Sequence, residues 1–131
     1  MSAVEEPNND DFVVEGHKII RVFRPWGYYR VLHEAPGVKV KELYVEPKSK
    51  MSMQRHQYRH EFWFTEEGLA TVRARGGKIV IPKQCCHIIA PMEWHQIQNN
   101  EHVPLKMIEI QFGTECDEDD IERADDSNST N

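Results

Sequence analysis

Short segments rich in β-branched and aromatic residues, with polar residues set between them, follow one another along most of the chain. Ile19-Ile20-Arg21-Val22-Phe23, Tyr28-Tyr29-Arg30-Val31-Leu32 and Val38-Lys39-Val40-Lys41 show the pattern, which predicts strands. Glu61-Phe62-Trp63-Phe64-Thr65, residues 69–75 and 78–81, His87-Ile88-Ile89 and residues 106–112 continue it. Turn formers separate the segments: Pro25 with Gly27, Pro36-Gly37, Pro47, Gly68, Gly76-Gly77, Pro91 and Pro104. Gly76-Gly77 is a two-residue hairpin candidate, because both positions can take positive φ. Between residues 12 and 113 no helical periodicity persists over ten residues. Many short strands with frequent turns predict an all-β sandwich or barrel.

At 131 residues the chain allows one domain with one core. Its net charge of −6 hides a split. Residues 1–11 carry four acids and no base, and residues 114–131 carry eight acids and one base, Arg123. Residues 12–113 carry 15 Lys and Arg against 10 Asp and Glu, a formal +5. The expected organisation is a flexible acidic N-terminus (1–11), a basic barrel (12–113) and an acidic C-terminal extension (114–131). That extension reads as a short turn or helix ending in a disordered tip. A basic body attracts anionic ligands such as a sugar phosphate, unless the acidic ends merely balance it. Nucleic-acid binding is not expected, since the basic residues are spread along strands with no basic helix or arm.

No apolar run approaches the roughly 18 residues of a membrane helix, and the first residues are acidic where a signal peptide is basic and then apolar. A cytoplasmic protein is expected. Cys85, Cys86 and Cys116 form neither a disulfide framework nor a zinc knuckle. The adjacent pair is expected on a strand, one thiol inward and one outward.

The candidate chemistry is concentrated in residues 51–63 and at His95. Gln54 and His56 are two apart, so on a strand their side chains share a face. Glu61 follows on the next strand, and a hairpin would bring it back to the same patch. Imidazole, carboxylate and amide oxygen together suit one borderline divalent metal: zinc, manganese, iron or cobalt. The alternative for a histidine on a strand is a hydrogen-bonded structural residue. Trp26 and Trp63 are expected in the core or barrel wall, and Trp94 either there or stacked on a sugar. His17, His33, His87 and His102 have no partner pattern.

Gln54-x-His56-x4-Glu61-x6-Gly68 resembles the first motif of the cupins, with Gln in place of its first His, and His95-Gln-Ile-Gln-Asn99 resembles the end of the second. Within that superfamily the chain is similar to the type II mannose-6-phosphate isomerase domain, which also ends bifunctional mannose-1-phosphate guanylyltransferases. Arg24-Pro25-Trp26-Gly27-x-Tyr29, Lys39-Val40-Lys41, Ser52-x-Gln54-x-His56 and Arg59-x-Glu61-x-Trp63 carry the likeness. Pro104-Leu105-x-x-Ile108-Glu109-Ile110-Gln111-x-Gly113 and Glu118-Asp119-Asp120-Ile121-x-Arg123 extend it, so that it covers roughly residues 21–126.

The resemblance implies a double-stranded β-helix (jelly-roll) barrel with a metal in its mouth, held by Gln54, His56, Glu61 and His95. It implies interconversion of mannose 6-phosphate and fructose 6-phosphate, a proton moving between C1 and C2 through an enediol. Arg59, Arg24 and Lys41 are the candidates for the phosphate, Trp94 for the sugar, with plain surface charge the alternative for Arg24 and Lys41. A homodimer follows by family analogy. No Gly-rich nucleotide loop precedes Arg21, so nucleotidyl transfer is expected from a separate chain.

The motif also departs from the family. Where the family has consecutive histidines this chain has Gln57 and Tyr58, and after the glutamate it has Phe62. Tyr58 and His60 are the candidates to replace a lost proton shuttle, beside Glu61. The family's Pro-x-Gly-x-x-His is here Ala90-Pro91-Met92-Glu93-Trp94-His95, and Met92 in place of glycine is expected to reshape the pocket wall. Two alternatives to the isomerase stay open. One is a divergent cupin that binds metal and a sugar or nucleotide sugar without turnover; the other is a non-catalytic scaffold.

Overall fold

The computed structural model describes residues 3–4, 12–14, 17–74 and 76–124. Among them are fifteen strands and no helix. In chain order they are β1 (Ala3–Val4), β2 (Phe12–Val14), β3 (His17–Ile19), β4 (Val22–Arg24), β5 (Gly27–Ala35), β6 (Val38–Val45), β7 (Ser49–Lys50) and β8 (Gln54–Arg55). They continue with β9 (Arg59–Glu67), β10 (Leu69–Ala74), β11 (Gly77–Pro82), β12 (Cys86–Ile89), β13 (His95–Asn99), β14 (Leu105–Gly113) and β15 (Glu122–Arg123). One sheet runs β1-β4-β5-β6-β14-β9-β12; the other runs β11-β10-β13-β8-β15, with β7 also on β13. β2 and β3 form a separate ribbon. No helix among the described residues could cross a membrane.

The all-β barrel expected from the pattern is present, and three long neighbouring strands show how it is filled. On β6, β9 and β14 the buried residues alternate along the strand. At one end the inward residues are apolar: Leu43 and Val45 lie opposite Met107 and Leu105. They join Trp26, Trp63, Val72 and Ile97 in one cluster that spans both sheets. Each such side chain contributes roughly 1.5–3 kcal/mol by leaving water. At the other end the same alternation turns polar residues inward: Lys39 and Lys41 on β6, Arg59 and Glu61 on β9, Glu109 and Gln111 on β14. Phe62, Phe64, Ile108 and Ile110 fall on the opposite faces of β9 and β14 and make the outside of the large sheet apolar.

Several local expectations are corrected. The run 19–23 breaks at Ile20 and Arg21, because β3 pairs with β2 while β4 joins the large sheet. Ala74 pairs with Gly77, so the hairpin closes one residue earlier than Gly76-Gly77, with Gly76 at φ +73°. Cys85 and Cys86 are both exposed, because Cys85 ends the turn after β11 and only Cys86 enters a strand. Of the stretch 1–11, the described part is β1, whose backbone pairs with β4; the rest lies outside the described residues. Residues 114–124 form no helix. They make a turn, and then β15 pairs with β8; the expected disordered tip, 125–131, lies outside the described residues.

Candidate functional site

Register gathers the polar ends of three strands. Lys41 lies opposite Glu109, Lys39 opposite Gln111, and Gln111 opposite Glu61. The other sheet faces them with Gln54 and His95, themselves a cross-strand pair. Glu61 does not reach this patch through a hairpin from Gln54. β8 pairs with β13 and β15, β9 with β14 and β12, so residues 56–58 carry the chain from one sheet to the other. Residues 114–124 then cross the mouth as a strap. The cavity at the mouth measures about 60 Å³, and Lys41, Glu61, His95, Glu109, Gln111 and Glu118 are among its walls.

His56, Glu61 and His95 are all buried, and one donor atom from each lies within 4.8 Å of the others. His56 Nε2 is 3.1 Å from Glu61 Oε2, and His95 Nε2 is 3.6 Å from Glu61 Oε1. His56 Nδ1 donates to the carbonyl of Asp120 at 2.7 Å and His95 Nδ1 to that of Glu93 at 2.8 Å. Those bonds orient both rings with Nε2 toward Glu61, and in a neutral ring they leave the lone pair on Nε2. Burial, and then the neighbouring Arg59 charge, push His56 down to about 4, so the ring is neutral at pH 7.

Arg59 sets the charge of the patch. Its Nε and Nη2 donate to Glu61 Oε2 at 2.9 and 2.8 Å, Nη2 donates to His56 Nε2 at 3.3 Å, and Nη1 donates to the Asp117 carbonyl at 3.0 Å. Burial raises the Glu61 carboxyl, but His95 and Arg59 outweigh it and hold Glu61 below its ordinary value. Glu109 goes the other way: burial, then the charge of Glu61, push it up to about 7. Glu109 therefore keeps a proton more readily and donates it to Glu61. Its oxygens also accept from Trp63 Nε1 at 3.1 Å and Gln111 Nε2 at 2.9 Å.

The donor set fits a divalent metal. It offers two imidazoles, each oriented by a carbonyl behind it, and one ionised carboxylate. His95 Nε2 is buried without a hydrogen-bond partner among the described residues, the state of a nitrogen built to meet a cation. Gln54 donates its amide nitrogen to Ser52 Oγ and O at 3.2 and 3.4 Å, which leaves Oε1 as the atom it can offer. Trp26 Nε1 and Gln111 Oε1 are likewise buried without partners among the described residues, and both belong to residues of the cavity wall.

Of the other residues picked from the sequence, Arg24 and Lys41 line the cavity, with the Tyr29 ring 5.3 Å from the guanidinium and 4.2 Å from the ammonium. Trp26 and Trp63 are buried walls. Tyr58, His60 and Trp94 are not among the cavity residues. His60 falls on the outer face of β9 and stacks on Phe112 at 5.1 Å. Tyr58 is exposed, and Trp94 lies under the Arg55 guanidinium at 4.5 Å. Met92 does not reshape the wall as expected. It is exposed, outside the cavity, and takes φ +65°, so the turn survives with a left-handed methionine whose N–H donates to the His56 carbonyl.

Four residues of the site were assigned no role from the sequence: Lys39, Glu109, Gln111 and Glu118. The first three carry a readable signal, since they keep step at intervals of two with inward neighbours on their strands. Glu118 has no such alternation, because it sits in an acid-rich stretch that reads as solvated tail, and only the family likeness of residues 118–123 singles it out.

Comparison with known proteins follows the same lines. The mannose-1-phosphate guanylyltransferase of Salmonella muenchen is 36% identical over 109 residues, covering 83% of this chain and 23% of that protein. The chain thus spans under a quarter of that relative's length. A double-stranded β-helix protein from Klebsiella pneumoniae superposes with a TM-score of 0.66 at 15% identity, covering 92% of this chain and 90% of that one. A cupin-superfamily sugar phosphate isomerase from Silicibacter pomeroyi gives 0.61 at 18% identity, over 66% of this chain and 59% of that one. At these identities the two structures speak for the fold. Residues 9–126 match the family described as mannose-6-phosphate isomerase C-terminal, and the chain belongs to that family.

Proposed function

We propose that the protein is a metal-dependent sugar-phosphate isomerase that interconverts mannose 6-phosphate and fructose 6-phosphate. The observation that carries this reading is the His56, Glu61 and His95 cluster, of which Glu61 and His95 line a cavity that also presents Lys41 and Arg24. Gln54 completes the proposed ligand set. A divalent metal there would supply a Lewis acid to polarise sugar oxygens.

The chain's own residues supply the rest. Trp26 Nε1 and Gln111 Oε1 offer a donor and an acceptor to sugar hydroxyls. Glu109, held by Trp63 and Gln111 inside the cavity, replaces Tyr58 and His60 as the candidate to carry a proton between C1 and C2. Arg59 orients Glu61 and His56. The apolar outer face of β9 and β14 supports a homodimer through a second copy of the same surface. Three free thiols support a reducing, cytoplasmic setting.

A coupled assay on mannose 6-phosphate with added zinc, manganese or cobalt tests the reading. Turnover that Glu109→Gln abolishes is expected. Metal and sugar-phosphate binding without turnover would move the protein to the second reading, a divergent sugar-binding cupin. The position of His60 outside the barrel favours that alternative, because His60 then fails to replace the family's missing histidines.

A further inference from the structure

Lys39 and Lys41 stand two apart on β6 and both turn inward, each with only 7% of its side chain exposed. Their ammonium groups converge on a single atom, Glu118 Oε2, at 3.1 and 2.9 Å. Glu118 comes from the strap, where it sits in a turn after Asp117 with half of its side chain open to water. A carboxylate held by two buried cations is matched in sign but not in amount. Lys39 is also 3.4 Å from Glu34, which is mostly exposed. Lys41 has the face of Tyr29 beside it, and Arg24 lies over the same ring. Lys41, Arg24 and Glu118 line the cavity, Lys39 joins them through Glu118, and positive charge is in excess at this corner.

We infer that Lys39 and Lys41 form an anion subsite that takes a phosphate group, and that Glu118 fills it in the free protein as an internal competitor. The inference rests on reading the cavity as a sugar-phosphate site and adds where the phosphate sits and what it must displace. A phosphate carries about 1.5 to 2 negative charges near pH 7, closer to what two ammonium groups balance. Its tetrahedral oxygens accept from rotatable ammonium donors without the planar geometry that favours arginine.

Displacement needs little rearrangement. The strap is tied on both sides of Glu118, by the Asp117 carbonyl to Arg59 and by the Asp120 carboxylate to the N–H groups of Gln57 and Tyr58. Only the Glu118 side chain has to rotate into solvent. Its departure also widens the mouth, which matters because the cavity of about 60 Å³ is far below the roughly 300 Å³ at which small-molecule sites begin. A tethered carboxylate competes at a high effective concentration, so it weakens the apparent affinity for any free anion.

Calorimetric titration of the full chain with inorganic phosphate, in the presence of a chelator, tests this without metal or turnover. Glu118→Gln is expected to bind phosphate at least tenfold more tightly than wild type. Adding Lys41→Met or, separately, Lys39→Met to that variant is expected to remove the gain. Equal or weaker binding by Glu118→Gln would overturn the inference. So would tight binding that survives both lysine replacements, since the phosphate would then sit elsewhere. Isomerase activity can be absent while this result stands, and the titration can fail while activity stands.

Discussion

His95 and Glu61 face each other across the barrel, Nε2 to Oε1 at 3.6 Å, from strands that belong to different sheets. β13 brings the imidazole and β9 the carboxylate, and nothing in the hydrogen bonding of either sheet fixes that distance. It is set by closure of the sandwich over the apolar cluster beneath, in which Trp63 edges against the His95 ring at 5.3 Å. The stability of the core and the geometry of the site are therefore coupled.

The Glu61–Glu109 pair makes stability depend on pH in a readable way. Glu109 titrates at about 7 in the folded protein against 4.5 ordinarily, so between those values the folded state holds a proton that the unfolded state has lost. This contribution falls as pH rises through that window and levels off above it, by an amount on the order of 3 kcal/mol. Urea unfolding of chelated wild type and Glu109→Gln from pH 4.5 to 8 is expected to show the variant gaining on wild type as pH rises. Parallel curves would mean that Glu109 is ionised throughout.

Met92 tests whether the altered second motif carries backbone strain. A left-handed conformation costs a residue with a Cβ about 1–2 kcal/mol, and glycine's entropic cost offsets part of any relief. Met92 is 45% exposed, so little burial is lost. Met92→Gly is expected to stabilise the protein by about 1 kcal/mol in denaturant unfolding. Destabilisation would show that the methionine side chain contributes more than its exposure implies.

The final residue of the second motif has a structural task. Asn99 is fully buried, and its Nδ2 donates to the carbonyls of Val45, Glu46 and Val103 while Oδ1 accepts from the Glu101 N–H. It ties the end of β13 to β6 and to the loop before β14. Asn99→Ala leaves these groups unpaired, at about 1 kcal/mol or more each, and is expected to cost about 3 kcal/mol in thermal or denaturant unfolding. A loss under 1 kcal/mol would mean that water replaces the bonds.

Most strands were legible because β-branched and aromatic runs and turn residues are local signals. His56, Glu61 and His95 were legible as a motif, but not as a geometry. Their meeting depends on β8 and β9 lying in different sheets, which no local spacing encodes. Glu109 lies between Met107 and Gln111 in inward alternation, so its burial could be read once β14 was known to be central. Its partnership with Glu61 needed the register. The strap was illegible for a different reason. Its acids look solvated until Lys39 and Lys41, some eighty residues earlier, are seen to point inward while the neighbouring valines point outward. β13 was missed as a strand because Gln96, Gln98 and Asn99 are polar yet buried, held by hydrogen bonds that include Gln96 to Met51 and Gln98 to Gln96.

Metal analysis of purified wild type beside His56→Ala and His95→Ala asks whether the cluster is a metal centre at all. Near one divalent ion per chain in wild type, lost in both variants, is the predicted result. A wild-type protein that takes up neither zinc nor manganese, or variants that keep a full complement, would contradict it.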